Sequence, residues 1–392
     1  MVTRKEISKS DSWPKVAFGD VVRNVKVDVD PRTSGFERYV AGEHMETDNL
    51  HITSWGNIGN GYLGPAFHRK FVKGQVLYGS RRTYLRKVAV AEFDGICANT
   101  TLVLEPKDGS LLLELLPFIM QSESFTEFSV KNSKGSVNPY INWSDLARYE
   151  FPLPPLDEQR RIAEILWAAD ETIQGFVTVL NNLGDLQNSA RETIFYKSGY
   201  KSKPIKELAS IRYGLGQPPS LKEDGVRMIR ATDISKGEIN ESGIIRVDLN
   251  EVPNGRAILL YDGDIIIVRS GAYTGDSAMI TREFVGSIAG YDLVIHPNPQ
   301  KIIPYFLAEF LLHKRTVEKI IKPLSIRSAQ PHLNVNDVGN IDISIPDVEN
   351  QEIFTSKLSN IHKQIITTKK HLSKLRNQFI LLREGLLKNS RK

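Results

Sequence analysis

Asn138-Pro139-Tyr140 carries three residues of an Asn-Pro-Pro-Tyr loop, which would hold an extruded base for methylation of its amino group. The second proline is missing, no glycine-rich cofactor loop accompanies it, and a matching stretch further on reads Gln330-Pro331-His332. Glu105 and Lys107, with Asp94 upstream, have the residue types of a phosphodiester-cleaving carboxylate–lysine set, but they fall where an ordinary strand end is expected. The eight histidines are scattered, and His44 and His51 have no cysteine or acidic partner at ligand spacing, so no metal site is expected. There is no phosphate-cradling GxxxxGK[ST] loop. Cys97 is the only cysteine, which excludes an internal disulfide and fits a small hydrophobe packed beside a strand. No catalytic set survives, and binding remains.

The bulk numbers agree. The chain has 392 residues, 41% hydrophobic and 25% charged, a soluble globular balance whose length favours two or more domains. No apolar run is long enough for a bilayer, and the basic N-terminus has no apolar core behind it, so neither a membrane segment nor a secretory signal is expected. With the single cysteine this implies a reducing, cytoplasmic setting. The net charge of +5 is a mild bias toward polyanions. From His362 onward there are nine Lys or Arg against one acid, Glu384.

The elements that would position a binding surface are written twice. Sliding the sequence by 192 positions aligns 139–198 with 331–390 without gaps, and twelve of sixty pairs are identical. Chance would give roughly a third of that. The pairs include Asn142/Asn334, Asp145/Asp337, Gln159/Gln351, Arg191/Arg383 and Glu192/Glu384. Upstream, "GQVLYGSRRTYLRKVAVA" (74–91) matches "GDIIIVRSGAYTGDSAMI" (263–280), with Tyr84 opposite Tyr273. Both stretches predict short β-branched strands broken by tight turns. The copies differ most before these strands.

Each copy leaves its globule through a proline-containing joint, "PLPPLDEQ" and "SIPDVENQ", and enters a helix. Proline fixes φ and holds its predecessor extended, and acids then favour a helix start. The helices carry apolar seams at alternating four and three spacing. One runs Ile162, Leu166, Ala169, Ile173, Phe176, Leu180, Leu183, Gln187, Ala190, Ile194. The other runs Phe354, Leu358, Ile361, Ile365, Thr368, Leu372, Leu375, Phe379, Leu382, Leu386. This is a heptad pattern with two polar lapses, and two such helices in one chain are expected to pack on each other, antiparallel, as a rod of roughly 55–60 Å. The expected fold is α/β (α+β): two pseudo-symmetric strand-rich globules joined by two long helices in an antiparallel coiled coil. The expected spans are 1–155, 156–198, 199–347 and 348–392.

Two similar but divergent globules held at a fixed distance suit a target with two different parts, such as duplex DNA. The quoted joints, together with "GDIIIVRSGAYTG" and "IRYGLGQPPS", resemble those of type I restriction–modification specificity subunits, and the resemblance covers nearly the whole chain. It implies that each globule is a target recognition domain reading one half of a bipartite site, and that the helices set the gap. It further implies a non-catalytic subunit with two modification (methyltransferase) subunits and, in the nuclease, ATP-dependent restriction subunits. S-adenosylmethionine, ATP and Mg would then belong to those partners, with none in this chain.

Base readout needs Arg, Lys, Asn or Gln, and phosphate contacts need Arg, Lys, Ser or Thr. In the first module the candidates are Arg81, Arg82, Tyr84, Arg86 and Lys87, then Lys131, Lys134 and Asn57. In the second they are Arg269, Ser270, Tyr273 and Thr274, then Arg327, Ser328 and Gln330, and finally Arg212, Arg230 and Thr232. The competing expectations are an enzyme fused to its own reader, for which no spare length exists, and a scaffold that binds only proteins.

Overall fold

The computed structural model describes residues 13–59, 63–197, 199–252, 259–325 and 332–388. Arg327, Ser328 and Gln330 lie outside the described residues.

The repeat seen in the sequence is a repeat of sheets. In the first module the strands Val22–Asn24, Thr101–Pro106, Val76–Gly79 and Val88–Val90 lie side by side in that order, all antiparallel. The second module orders Ala209–Tyr213, Leu293–Pro297, Ile265–Ile267 and Ser277–Met279 in the same way. The central strands are apolar on both faces because both are covered. Ile265 and Ile267 belong to the core beneath the helices, while Ile266 and Val268 belong to a separate core on the other side. This is the two-residue alternation of a strand.

Each module also has a parallel strand pair, Arg38–Val40 with Gly95–Ala98 and Leu221–Ile229 with Ile288–Ala289. Around these pairs the copies diverge. The first sheet has four strands, ordered Gly56–Asn57, Arg38–Val40, Gly95–Ala98, Phe67–Phe71; the second has three, ordered Ile245–Val247, Leu221–Ile229, Ile288–Ala289.

Each proline joint leaves the end of a strand in a two-stranded sheet. Glu150–Pro152 pairs antiparallel with Lys15–Ala17, and Asp342–Ser344 with Ser202–Pro204. Pro152 is tolerated at the end of the first because an edge strand needs no donor on its outer side. The central helix, Leu156–Glu192, and the C-terminal helix, Val348–Leu387, start within a few residues of these strands. Where the first joint has Pro155 the second has Asp347, and its Oδ1 accepts from the Asn350 backbone N–H at 2.8 Å. An N-cap side chain there does the work of a rigid residue.

The aligned glutamines lock both joints. Gln159 is buried; its amide donates to Ser110 O (2.7 Å) and Pro154 O (2.8 Å) and accepts from Leu112 N (2.8 Å). Gln351 is buried in the same way, donating to Pro346 O (3.0 Å) and accepting from Ile303 N (2.9 Å).

The chain divides into two compact units, Met1–Val177 with His371–Lys392, and Thr178–Lys370. The start of the central helix thus shares a unit with the end of the C-terminal helix, and the reverse holds in the other unit, which makes the pair antiparallel. Within the first unit Phe118 lies against both Trp167 and Phe379, with ring centroids 5.0 and 6.2 Å away, and Phe176 meets His371 at 6.4 Å. Within the second unit Phe195 and Phe354 meet at 5.5 Å, in a core that also holds Leu358, Ala190 and Ile194.

All predicted seam residues of the central helix are buried or half-buried. In the C-terminal helix Leu382 is exposed and Arg383 is turned inward instead. A straight helix drifts ~20° per heptad against a 3.5-residue repeat, so by the fifth heptad the inward face has moved on by part of a residue. No helix among the described residues is long and apolar enough to cross a membrane.

Candidate nucleic-acid interface

A hairpin turn stands at the same place in both central sheets, between Val76–Gly79 and Val88–Val90 in the first and between Ile265–Ile267 and Ser277–Met279 in the second. In the first, Arg82 and Arg86 bracket a single 3₁₀ turn, Thr83–Leu85, and both are left-handed, with φ of 52° and 50°. In the second the corresponding residues are Gly271 and Gly275, with φ of 84° and 92°. The turn therefore repeats in backbone conformation, and glycine meets its steric demand in one copy only.

Both turns are pinned to the segment before the joint. Ile141 N donates to Ser80 O at 2.9 Å and Arg82 N to Pro139 O at 2.6 Å. In the second module Leu333 N donates to Arg269 O at 2.8 Å, and Ser270 bridges to His332 as Arg81 bridges to Tyr140. Tyr84 and Tyr273, at the tips, are 52% and 50% exposed, so neither is a core residue.

The structure brings together Arg81, Arg82, Tyr84 and Lys134 in the first module. Arg81 is exposed, Arg82 Nε donates to Asn138 Oδ1 at 2.9 Å, and Lys134 bridges to Tyr140. Lys134 also pairs with Asp145 at 2.8 Å, and that contact holds the Asp145 carboxyl below its usual range. Lys131 is exposed at the end of the neighbouring helix Glu123–Lys131. Arg86 points the other way, pairing with Glu123 at 2.6 Å and Asp48 at 2.9 Å and donating to Gln121 O at 2.8 Å. Lys87 donates to Gly42 O. Asn57 is exposed but stands on the other sheet, in register with Arg38.

In the second module Thr274 donates to Gly271 O at 2.6 Å and stiffens the turn. Arg269 lies over two exposed rings, its guanidinium carbon 4.8 Å from the Tyr213 centroid and 4.4 Å from that of Tyr291. Asp292 accepts from the Arg269 backbone N–H at 3.1 Å. Thr232 is exposed on the turn Ala231–Asp233. Arg230 is engaged with Asp233 at 3.2 Å and with Gly243 O at 2.6 Å. Arg212 reaches Leu259 O at 2.9 Å and Asp264 at 3.5 Å.

Three features escaped the sequence. The tyrosines around Arg269 come from the end of the strand Ala209–Tyr213 and the bend before the strand Leu293–Pro297, and carry no local signal. Gln159 and Gln351 were visible as an aligned pair, though not as joint locks. His51 proves to be a tie rather than a ligand: it bonds Asp170 of the central helix at 2.6 Å and Glu92 at 2.8 Å. The bond to Asp170 raises its pKa from 6.5 to about 9. Among the described residues no cluster of His, Cys, Asp and Glu could hold a metal. Burial pushes the Cys97 thiol up to about 12, so it packs as an inert apolar group.

A family model described as the type I restriction modification DNA specificity domain matches the chain twice, over residues 32–180 and 197–377. The type I restriction enzyme MjaVIII specificity subunit of Methanocaldococcus jannaschii is 24% identical over 398 residues, 91% of this chain and 87% of that one. The EcoDI specificity subunit of Escherichia coli is 32% identical over 158 residues, 38% of this chain and 34% of that relative. The S subunit of a type I restriction–modification system from M. genitalium shares the fold with a TM-score of 0.60 at 16% identity, covering 99% of both chains. A chain from a type I system solved for its complex assembly and conformational transition also scores 0.60, at 17% identity, covering 97% of this chain and 98% of that one.

Proposed function

Since the chain belongs to the type I restriction-modification DNA specificity family, matched in two copies over most of its length, we propose that it is the sequence-reading subunit of such a system. Each module reads one half of a bipartite duplex site, and the antiparallel helices set the gap between the halves. The subunit performs no catalysis. It recruits two modification subunits, which bind S-adenosylmethionine and methylate adenine N6, and restriction subunits that use ATP and Mg. The methylated base leaves the stack into a partner's pocket.

One observation carries this reading. Two turns with positive φ at the same two positions, equally placed in their sheets, carry different side chains: exposed Arg81, Arg82 and Tyr84 in one, half-buried Ser270 and exposed Tyr273 in the other. That is the arrangement expected when one scaffold serves two unlike half-sites.

The test is a genome-wide map of N6-methyladenine with and without the gene. The expected result is one split motif, two short defined halves around a fixed gap, that vanishes with the gene. If methylation does not change and the reconstituted complex shows no salt-dependent affinity for DNA, the chain is a protein-binding scaffold.

A further inference from the structure

We propose that Arg269 reads a guanine in the half-site taken by the second module, its guanidinium held ready by Tyr213 and Tyr291. This deepens the function proposed above and rests on it. The two ring contacts, at 4.8 and 4.4 Å, restrict the orientations open to the guanidinium. The backbone beneath is fixed as well, with Arg269 N–H on Asp292 at 3.1 Å and Arg269 O accepting from Leu333 at 2.8 Å. Among the described residues no hydrogen bond or ion pair takes this guanidinium, and its Nε is enclosed without a partner. The clamping rings are 44% and 51% exposed, so the site stands at the surface beside the exposed turn at Tyr273.

A planar donor fork in a restricted orientation fits a planar pair of acceptors. Guanine presents two, O6 and N7, in the major groove, and Arg is their commonest bidentate partner. A phosphate also takes such a fork, but a phosphate contact does not require the fork's plane to be set beforehand. Presetting it removes the rotamer cost of ordering a long side chain on binding. In the first module the corresponding residue is Ser80, whose hydroxyl donates to Thr100 O at 2.6 Å, so the device is absent there. The two halves of the site should differ accordingly.

The test uses the complex with its modification subunits on duplexes carrying the methylated motif. In the second module's half, each guanine in turn is replaced by 7-deazaguanine, which removes only the N7 acceptor. For the wild-type complex, one replacement should weaken binding by about 10-fold or more. Arg269→Lys, which keeps the charge over the rings, should lose that sensitivity and accept other base pairs at the same position. If no guanine in that half is sensitive, or if Arg269→Lys weakens all sequences equally and keeps the sensitivity, Arg269 is not a base reader. If the wild-type complex methylates no split motif, the proposed function itself fails and the Arg269 assignment falls with it. Should Arg269→Lys not fold, a half-site without a sensitive guanine in the wild-type complex still overturns the proposal, and a sensitive one supports it.

Discussion

Arg82 and Gly271 occupy the same place in their turns, as do Arg86 and Gly275, and all four have positive φ. A left-handed arginine costs roughly 1–2 kcal/mol that glycine does not. Arg86 offsets that cost through Glu123, Asp48 and Gln121 O. Among the described residues the Arg82 side chain has only an exposed bond to Asn138. Local stability therefore accounts for Arg86 and leaves Arg82 without a structural reason, as befits a side chain kept for what it touches. On the proposed function, the turn's backbone and Arg86 serve the scaffold, and Arg82 serves the target.

The helices divide in the same way. Arg191 and Arg383 are aligned, identical and buried. Arg191 meets the buried carboxylate of Glu309 at 2.6 Å. Arg383 meets the neutral Gln121 at 3.3 Å, and Glu384 lies 3.6 Å away. Burial, with the nearby charge of Arg86, pulls Arg383 below the usual arginine range. The helix side of the contact repeats, while the globule side has diverged.

The largest effect that would sharpen this contrast is Glu309→Ala. It strands a buried arginine and should cost about 3–5 kcal/mol, against much less for Gln121→Ala, whose arginine already lacks a direct carboxylate partner on the globule. Calorimetric unfolding of the two variants compares them, and equal losses would erase the difference. The joints should behave oppositely. Gln159→Ala and Gln351→Ala each orphan buried backbone groups and should cost roughly 1–3 kcal/mol, by similar amounts, because this part is common to both modules. A large inequality between them would break the idea of a shared joint.

A smaller, one-sided effect comes from His51. Its folded pKa is raised above its unfolded value, so the stability it adds is fully present below about 6.5 and is lost as pH rises through about 9. Position 362, aligned with Asp170, is His, so the second copy lacks the acid that makes this tie. Melting curves of wild type and His51→Gln should therefore differ at pH 6 and converge above pH 9.5. A difference that persists at high pH would contradict the ionic tie. The smallest change in stability is expected from Arg82→Gly, within about 1 kcal/mol of wild type because relieved strain and greater chain freedom oppose each other. DNA affinity of the complex should nonetheless fall. A variant with unchanged affinity would return Arg82 to the scaffold.

The helices, their antiparallel packing and the joints were legible because prolines and a heptad repeat leave local marks. The central sheets were legible as β-branched runs. Leu382 and Arg383 exchange roles because helix drift accumulates over several turns, which a fixed 3.5 spacing ignores. The left-handed state of Gly271 and Gly275 could be read from their type, and that of Arg82 and Arg86 only by trusting the alignment over the residue. The clamp on Arg269 joins residues 213, 269 and 291 across three parts of the chain, and no spacing rule marks it. The expected spans break at 155/156, 198/199 and 347/348, where elements end; the compact units part inside the two long helices, between Val177 and Thr178 and between Lys370 and His371.

The most direct test of the modular account replaces residues 1–150 with the equivalent segment of another family member and maps the methylated motif by sequencing. The account predicts that one half-site changes while the other half and the gap stay as they were. A change in both halves would contradict it.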